Sequence, residues 1–351
     1  MRAFLLSAGF GQRLGQLGRK VPKALIPLGG VPQIEFALYK LRNYGVSEVG
    51  INLHHESELI KKTLGDSFRG LKLVYFYEKD ILGTAGGLKN AEEFLSEKKE
   101  PFFIINSDAP CSVDLRVALD HHKKGNYLST LILRRSKDAA SYGILGVDRG
   151  GRLIKFLSHF SPNRSENPIV CGMFTGLSIM SPEIFRHIPS GRFCDIAQEI
   201  YPKLIAQDER IGAVISEAYW ADTGTVERYI QANRDLLSGE FVPDFDWPHK
   251  DFVFIDGEKL AWGEGWIEPP VLISKNARIE KDAIAGENSI LMSGSCLSKG
   301  SKSIGSIILT DSYIKNDLVL VDCLVGPKTI VSSNKNELNK MVFINDKQYK
   351  L

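Results

Sequence analysis

A six-residue apolar period in the last third of the chain constrains its fold more than any other feature. Ile267, Ile273, Ile279, Ala285, Leu291 and Leu297 follow one another at intervals of six without a slip. Small residues, Ala277, Ala283, Ser289, Ser295 and Ser301, stand four positions after five of them. Around residues 303–308 the register slips by one, and it resumes with Ile308, Ile314 and Leu320. Neither the 3.6-residue period of a helix nor the two-residue period of a long strand gives this spacing. A parallel β-helix does, with one apolar residue of each short strand pointing inward and a small residue where the turn packs tightly. The alternative is a β-sandwich with coincidental spacing. The pattern predicts a β-helix over residues 266–332, of about three to four coils. A polar tail over residues 333–351 then follows, with a final strand near residues 341–344.

The chain changes character near residue 240. Before that point short apolar runs alternate with helical patterns. Residues 3–6 are continuously apolar, as in a strand buried on both faces. Ile34, Ala37, Leu38 and Leu41 recur at helical spacing, and Val49, Ile51 and Leu53 alternate as in a strand. Further strands are expected over residues 71–77, 102–105, 128–133, 142–147 and 170–180. Ser181-Pro182-Glu183 reads as a helix start, and residues 225–237 as a helix stopped by Gly239. Strands alternating with helices predict an α/β domain over residues 1–240 with a largely parallel sheet. Residues 241–265, rich in Pro and Gly, read as a linker with one short strand at 252–255.

A length of 351 residues suits roughly two domains. The balance of 44 basic against 42 acidic residues leaves a net charge of +2. That gives no support to bulk attraction to nucleic acid or to a membrane surface, and it leaves room for a local phosphate pocket. The five cysteines are odd in number and none are paired at zinc-site spacing, which fits free thiols in a reducing cytoplasm. The apolar stretch at residues 3–6 is too short for a signal-peptide core, and no run approaches the ~20 residues of a membrane span.

The segment that carries chemistry opens the chain. Leu6-Ser7-Ala8-Gly9-Phe10-Gly11-Gln12-Arg13-Leu14 follows directly on the first buried strand, and Pro22-Lys23 and Pro27 come after it. Glycines let backbone N–H groups close on phosphate oxygens. Arg13 and Lys23 add positive charge that can follow a triphosphate into its transition state. Leu14 occupies the third glycine position of a dinucleotide-binding fingerprint, which argues against a dehydrogenase. The plainer alternative is a tight turn at Gly9 and Gly11 beside a solvated Lys23.

This segment resembles the nucleotide-sugar pyrophosphorylases, the sugar-1-phosphate nucleotidyltransferases, with their signature L-x-A-G-x-G-x-R-L followed by P-K and P. Ser7 stands where many members carry Ala or Gly, and Gly15-Gln16-Leu17 where a Pro is common. The likeness continues in Glu78 with Leu82-Gly83-Thr84-Ala85-Gly86, in Asn106-Ser107-Asp108 and in Trp220-Ala221-Asp222-Thr223-Gly224-Thr225. It implies a Rossmann-like mixed sheet followed by a left-handed β-helix. It also implies a reaction in which a sugar-1-phosphate oxygen attacks the α-phosphorus of a nucleoside triphosphate and pyrophosphate leaves. The nucleophile is already anionic near neutral pH, since a phosphate monoester has a second pKa of about 6. Catalysis then rests on positioning and electrostatics. Carried over, the catalytic cations are Arg13 and Lys23. The nucleotide is met by Leu6, Ala8, Gly9, Gly11, Glu78, Gly83 and Thr84, and the sugar phosphate by Gly143 and Thr175. Mg²⁺ is held by Asp108 and Asp222.

On the sugar side Tyr142-Gly143 resembles the family's Y-G, but its E-K-P segment is replaced by Phe156-Leu157-Ser158-His159-Phe160, and Phe174-Thr175-Gly176 stands for N-x-G. The β-helix has two readings. Hexapeptide acyltransferases use a histidine, and all seven histidines here lie at or before His249, which argues against a second enzyme. The other reading is a structural or oligomerising module, as in mannose-1-phosphate guanylyltransferases. The resemblance thus implies a cytoplasmic homo-oligomer that transfers a guanylyl group from GTP to a mannose-1-phosphate-like sugar. The alternatives are uridylyl or thymidylyl transfer and, in a different class, a catalytically silent regulatory homologue that binds nucleotide sugars.

Overall fold

The apolar run at the N-terminus forms the strand Arg2–Leu6. It is buried on both faces because it pairs in parallel with Glu48–Leu53 on one side and with Phe102–Asn106 on the other. Leu71–Tyr77 extends the parallel set beyond Glu48–Leu53. On the far side Val170–Met180 runs antiparallel to Phe102–Asn106 and to Ser129–Arg134, and Ile211–Ser216 pairs in parallel with Ser129–Arg134. The result is the mixed sheet expected. A computed structural model describes residues 1–135, 143–164, 167–345 and 347–350.

The chain divides into two compact units. One comprises residues 1–10, 22–24 and 33–220, and the other residues 11–21, 25–32 and 221–351. The core of the first unit lies on the sheet and includes Phe4, Leu88, Phe102, Leu131 and Tyr201. The helix Gln33–Asn43 buries the predicted stripe Ile34, Ala37, Leu38 and Leu41.

The second unit is built on the left-handed β-helix. Ile267, Ile273, Ile279, Ala285, Leu291 and Leu297 all lie in one buried cluster. Leu272 pairs with Ile290, eighteen residues on, whereas Ile290 pairs with Ile307, seventeen on. The one-residue slip seen in the sequence is thus a shortened corner. Gly305 turns it at φ 57°, and Asp322 at φ 53° stacks on it one coil later. A side chain at residue 305 would meet the Asp322 carboxylate at 2.4 Å, and Arg234 binds that same carboxylate. The coils do not stop at residue 332. Glu337–Asn339 pairs in parallel with Val319–Val321, Met341–Ile344 pairs with Leu324–Val325, and Lys347–Lys350 folds back on Met341–Ile344. Leu338 and Phe343 join the inner cluster, so the stretch expected to be a polar tail has its own inward residues. The expected linker is ordered too. Phe252–Ile255 and Leu260–Trp262 pair antiparallel with the first strands of the β-helix.

One face of this β-helix is apolar outside as well as inside. Leu272, Ile290, Ile307, Leu324 and Val342 form an outer ladder, packed with Leu14, Leu17, Ile26, Tyr229, Ile230 and Leu237 in a second buried cluster. Tyr229, on the helix Val226–Leu237, is fully buried and its hydroxyl donates to Pro27 O at 2.5 Å. The helix expected up to residue 237 and the segment after Gly11 therefore belong to the compact unit of the β-helix, not to that of the sheet.

Candidate active site

In the first unit the parallel strands run in the spatial order Leu71–Tyr77, Glu48–Leu53, Arg2–Leu6, Phe102–Asn106. The connections leave Arg2–Leu6 in opposite directions, which opens a crevice at the carboxyl ends of the strands. A cavity of about 290 Å³ lies there. Leu6, Ser7, Ala8 and Gly9 line it from the first strand, and Asn106, Ser107 and Asp108 from its neighbour. Asn52, Glu78, Gly83, Thr84, Lys23 and Asp195 complete most of the wall. Most of the residues expected to meet a nucleotide are thus brought together. Gly11 and Arg13 belong to the second unit. Gly11 has φ 63°, and Gly18 packs so close to its carbonyl that a side chain at 18 would lie 2.3 Å from it.

The L-G-T-A-G segment is the start of the helix Gly83–Asn90, with Leu82 as its cap. Its first-turn N–H groups have no partners within the helix, as at any helix start. Two of them, of Ala85 and Gly86, donate to Cys194 O at 3.0 and 3.1 Å. Gly83 has φ 73° and lies against that same carbonyl, so no larger residue fits. The Thr84 hydroxyl is engaged within the protein: Oγ1 donates to Asp195 Oδ2 at 3.1 Å and accepts from Ile196 N at 2.8 Å. Glu78 is buried, with both carboxylate oxygens engaged. Oε1 accepts from Asn52 Nδ2 at 2.7 Å and Oε2 from Leu82 N at 2.9 Å.

Asp108 faces Lys23 across the cavity as a close ion pair. Asp222, in the second unit, holds two guanidinium groups, Arg228 at 2.7 Å and Arg13 at 3.7 Å, and accepts from Gly224 N at 2.9 Å. Gly224 is tightly placed, since a side chain there would meet Arg13 and Asp222 below 3 Å. No cluster of three or more His, Cys, Asp or Glu exists among the described residues. Asp108, a hard carboxylate in the cavity wall, suits a cation that arrives with substrate phosphates, since Mg²⁺ commonly takes only one or two carboxylates from the protein.

The sugar-side expectations fare differently. Thr175 is buried away from the cavity. Its hydroxyl donates to Ile132 O at 2.7 Å, and its carbonyl accepts from Trp220 Nε1 at 2.9 Å. It therefore fastens the Trp220 segment to the sheet. Gly143 adopts φ 88°, and Tyr142 lies outside the described residues. His159 is exposed on the short strand His159–Phe160.

The sequence reading missed Asn52 and Asp195. Asn52 sits between Ile51 and Leu53 in a strand that read as alternating, so it resembled an outward polar position. A polar residue at the carboxyl end of a parallel strand was the available signal.

The family model for nucleotidyl transferases matches residues 2–239. The UTP–glucose-1-phosphate uridylyltransferase of Synechocystis sp. is 30% identical over 342 residues, 93% of this chain and 87% of its own length. Mannose-1-phosphate guanyltransferase beta-A of Xenopus laevis is 25% identical over 355 residues, 99% of this chain and 94% of its own. Among solved structures, HddC from Yersinia pseudotuberculosis complexed with GMP-PN superposes with a TM-score of 0.56 at 22% identity. It covers 67% of this chain and 99% of its own, a likeness of fold.

Proposed function

This chain belongs to the nucleotidyl transferase family, and from that premise we propose that it joins a nucleoside triphosphate to a sugar-1-phosphate, releasing pyrophosphate. The observation that carries the reading is the Lys23–Asp108 pair beside the bare backbone of Gly9, in the crevice at the strand ends. A triphosphate laid over residues 7–9 meets the Lys23 ammonium, which stabilises charge as it moves onto the leaving pyrophosphate. We assign the same role to Arg13. Asp108 is the carboxylate that would hold Mg²⁺ with the substrate phosphates, and Asp222 is retained as a second ligand that must first release Arg228. When bound, the metal neutralises charge around the α-phosphorus. The sugar phosphate needs no protein base, since it attacks as an anion. No helix among the described residues is long and apolar enough to cross a membrane. The five cysteines form no disulfide with one another, which supports the cytoplasmic, reducing compartment we propose for this enzyme.

GTP and a mannose-1-phosphate-like sugar form our first reading of the substrates. It is supported by the guanyltransferase relative that spans 99% of the chain. UTP is the second reading. The uridylyltransferase relative favours it, and so do the two oxygens of Glu78, already bonded within the protein rather than open to the donors of a guanine edge. The test is pyrophosphate release from GTP, UTP, dTTP, CTP and ATP against several sugar-1-phosphates. A preference for UTP or dTTP of about tenfold or more in kcat/KM, equivalent to ~1.4 kcal/mol, rejects guanylyl transfer. Asp108→Ala should lose Mg²⁺-dependent turnover, and near wild-type kcat at saturating Mg²⁺ removes Asp108 from the metal site.

A further inference from the structure

Four groups at the back of the crevice form one continuous hydrogen-bonded line. Ser7 N donates to Asn52 Oδ1 at 2.7 Å. Asn52 Nδ2 donates to Glu78 Oε1 at 2.7 Å, and Glu78 Oε2 accepts from Leu82 N at 2.9 Å. Both side chains are buried, Asn52 at 3% and Glu78 at 5% exposure. His54 Nδ1 lies 2.8 Å from Glu78 O and holds the backbone of that residue. Gly87 lies flush against the line, for a side chain there would meet Asn52 Nδ2 and Glu78 Oε1 at 2.7 Å each.

The two ends of this line are backbone N–H groups of the two segments that frame the cavity. Ser7 belongs to the glycine-rich segment, and Leu82 immediately precedes the Gly83–Asn90 helix. We propose that Asn52 is a positioning residue which, through Glu78, sets the spacing between these two segments, and that Glu78 acts through this bond rather than as a direct reader of the nucleobase. The inference rests on the nucleotidyltransferase reading of the crevice. Its logic is one of donors and acceptors. Because both ends donate, the pair must offer an acceptor at each end and one donor–acceptor match in the middle. One carboxamide and one carboxylate satisfy this in either order. Two carboxylates, or two carboxamides, cannot.

The experiment is therefore a polarity exchange. Asn52→Asp sets two carboxylates face to face, and Glu78→Gln sets an amide NH₂ against Leu82 N or against Asn52 Nδ2. Each single variant should lower kcat/KM for the triphosphate roughly tenfold or more, chiefly through KM, as a buried group loses its partner. The double variant Asn52→Asp/Glu78→Gln restores every bond with the polarity reversed. It should return to within about threefold of wild type with its melting temperature recovered and its GTP-to-UTP ratio unchanged. A double variant no better than the worse single one, or single variants equal to wild type, overturns the proposal. A recovered melting temperature with an altered GTP-to-UTP ratio makes Glu78 the reader of the base and overturns it too. Calorimetric titration of GTP and UTP into all four proteins runs alongside. If the wild type releases pyrophosphate from no substrate pair, the reaction reading fails, while the affinities still decide the polarity exchange.

Discussion

Two glycines of the crevice should respond to the same substitution in opposite ways. Gly87 lies in the interior of the Gly83–Asn90 helix, where alanine is normally better by about 1 kcal/mol. Its added methyl, however, would lie 2.7 Å from Asn52 Nδ2 and 2.7 Å from Glu78 Oε1, separations that atoms do not tolerate. Neither neighbour can swing aside without breaking a bond of its own, to Ser7 N or to Leu82 N. Overpacking of this kind costs about 1–3 kcal/mol. A buried partner left unsatisfied adds ~1–3 kcal/mol. The unfavourable terms exceed the helix gain, so Gly87→Ala should be destabilised by about 1–5 kcal/mol.

Gly9 is the contrast. A methyl there meets nothing within 4 Å, and its φ lies outside the left-handed range. Gly9→Ala should leave the fold unchanged, or steady it by about 0.4–1 kcal/mol through the unfolded chain. The methyl would instead stand in the cavity that Gly9 lines, where the triphosphate is expected. Chemical denaturation and nucleotide KM, measured on both variants, separate the two cases. Gly87→Ala should lose stability, and Gly9→Ala should lose nucleotide affinity at unchanged stability. If Gly87→Ala is as stable as wild type with an unchanged KM, the Asn52–Glu78 line is not rigid. If Gly9→Ala binds nucleotide normally, the triphosphate does not pass over residue 9.

Arg13→Ala and Lys23→Ala should each lower kcat by about 10²-fold with a smaller effect on KM, and a pure KM effect would mean uniform binding instead. Ile279→Asp places a carboxylate inside the β-helix at a position 3% exposed, a cost of several kcal/mol. Unchanged melting and an unchanged elution volume on a sizing column would contradict the inward register, and a change in elution volume alone would bear on the homo-oligomer we propose. His122, buried between Thr130 and Ser181, has its pKa pushed down to about 4, chiefly by burial and then by His121 and Lys123. An unfolded histidine takes up its proton near pH 6.5, which the folded one refuses until about pH 4, so stability should fall as pH drops through that window. His122→Gln should flatten that part of the profile, and an equally steep loss in the variant assigns it to other groups.

Much of this architecture was readable because it repeats or alternates. The inward residues of the β-helix announced themselves by spacing, and the N-terminal strand by its unbroken apolar run. What escaped notice has a physical reason in each case. The outer ladder of Leu272, Ile290, Ile307, Leu324 and Val342 sits one residue before the inward residue of each strand. Two adjacent apolar residues in a short strand signal burial on both faces, but not what covers the outer one. The strand expected near residues 341–344 is present, but its neighbours Glu337–Asn339 and Lys347–Lys350 were hidden by the surrounding Asn, Lys and Ser. In the crevice, motif spacing picked out Gly9, Lys23, Glu78 and Asp108, because backbone approach and charge demand particular residue types. The inward bond of Thr175 could not be read either, because a hydroxyl that donates to Ile132 O looks in sequence like one that meets a substrate. Asn52 escaped because its importance lies in a bond to a residue twenty-six positions away, which no local pattern encodes.

The outer ladder also bears on the order in which the chain can be made and folded. Leu14, Leu17 and Ile26 share one buried cluster with residues as late in the chain as Leu324, Val342 and Ile344. At synthesis rates of about 5–20 residues per second, the segment carrying Arg13 leaves the ribosome roughly 15–65 s before the surface it must settle on exists. Closing so long a loop is entropically slow. The earliest part of the chain is thus among the last to be fixed. A nascent or truncated chain lacking the final coils would display Leu14, Leu17, Ile26 and the apolar side of the Val226–Leu237 helix to water. The final coils therefore complete the apolar surface on which Leu14, Leu17 and Ile26 settle.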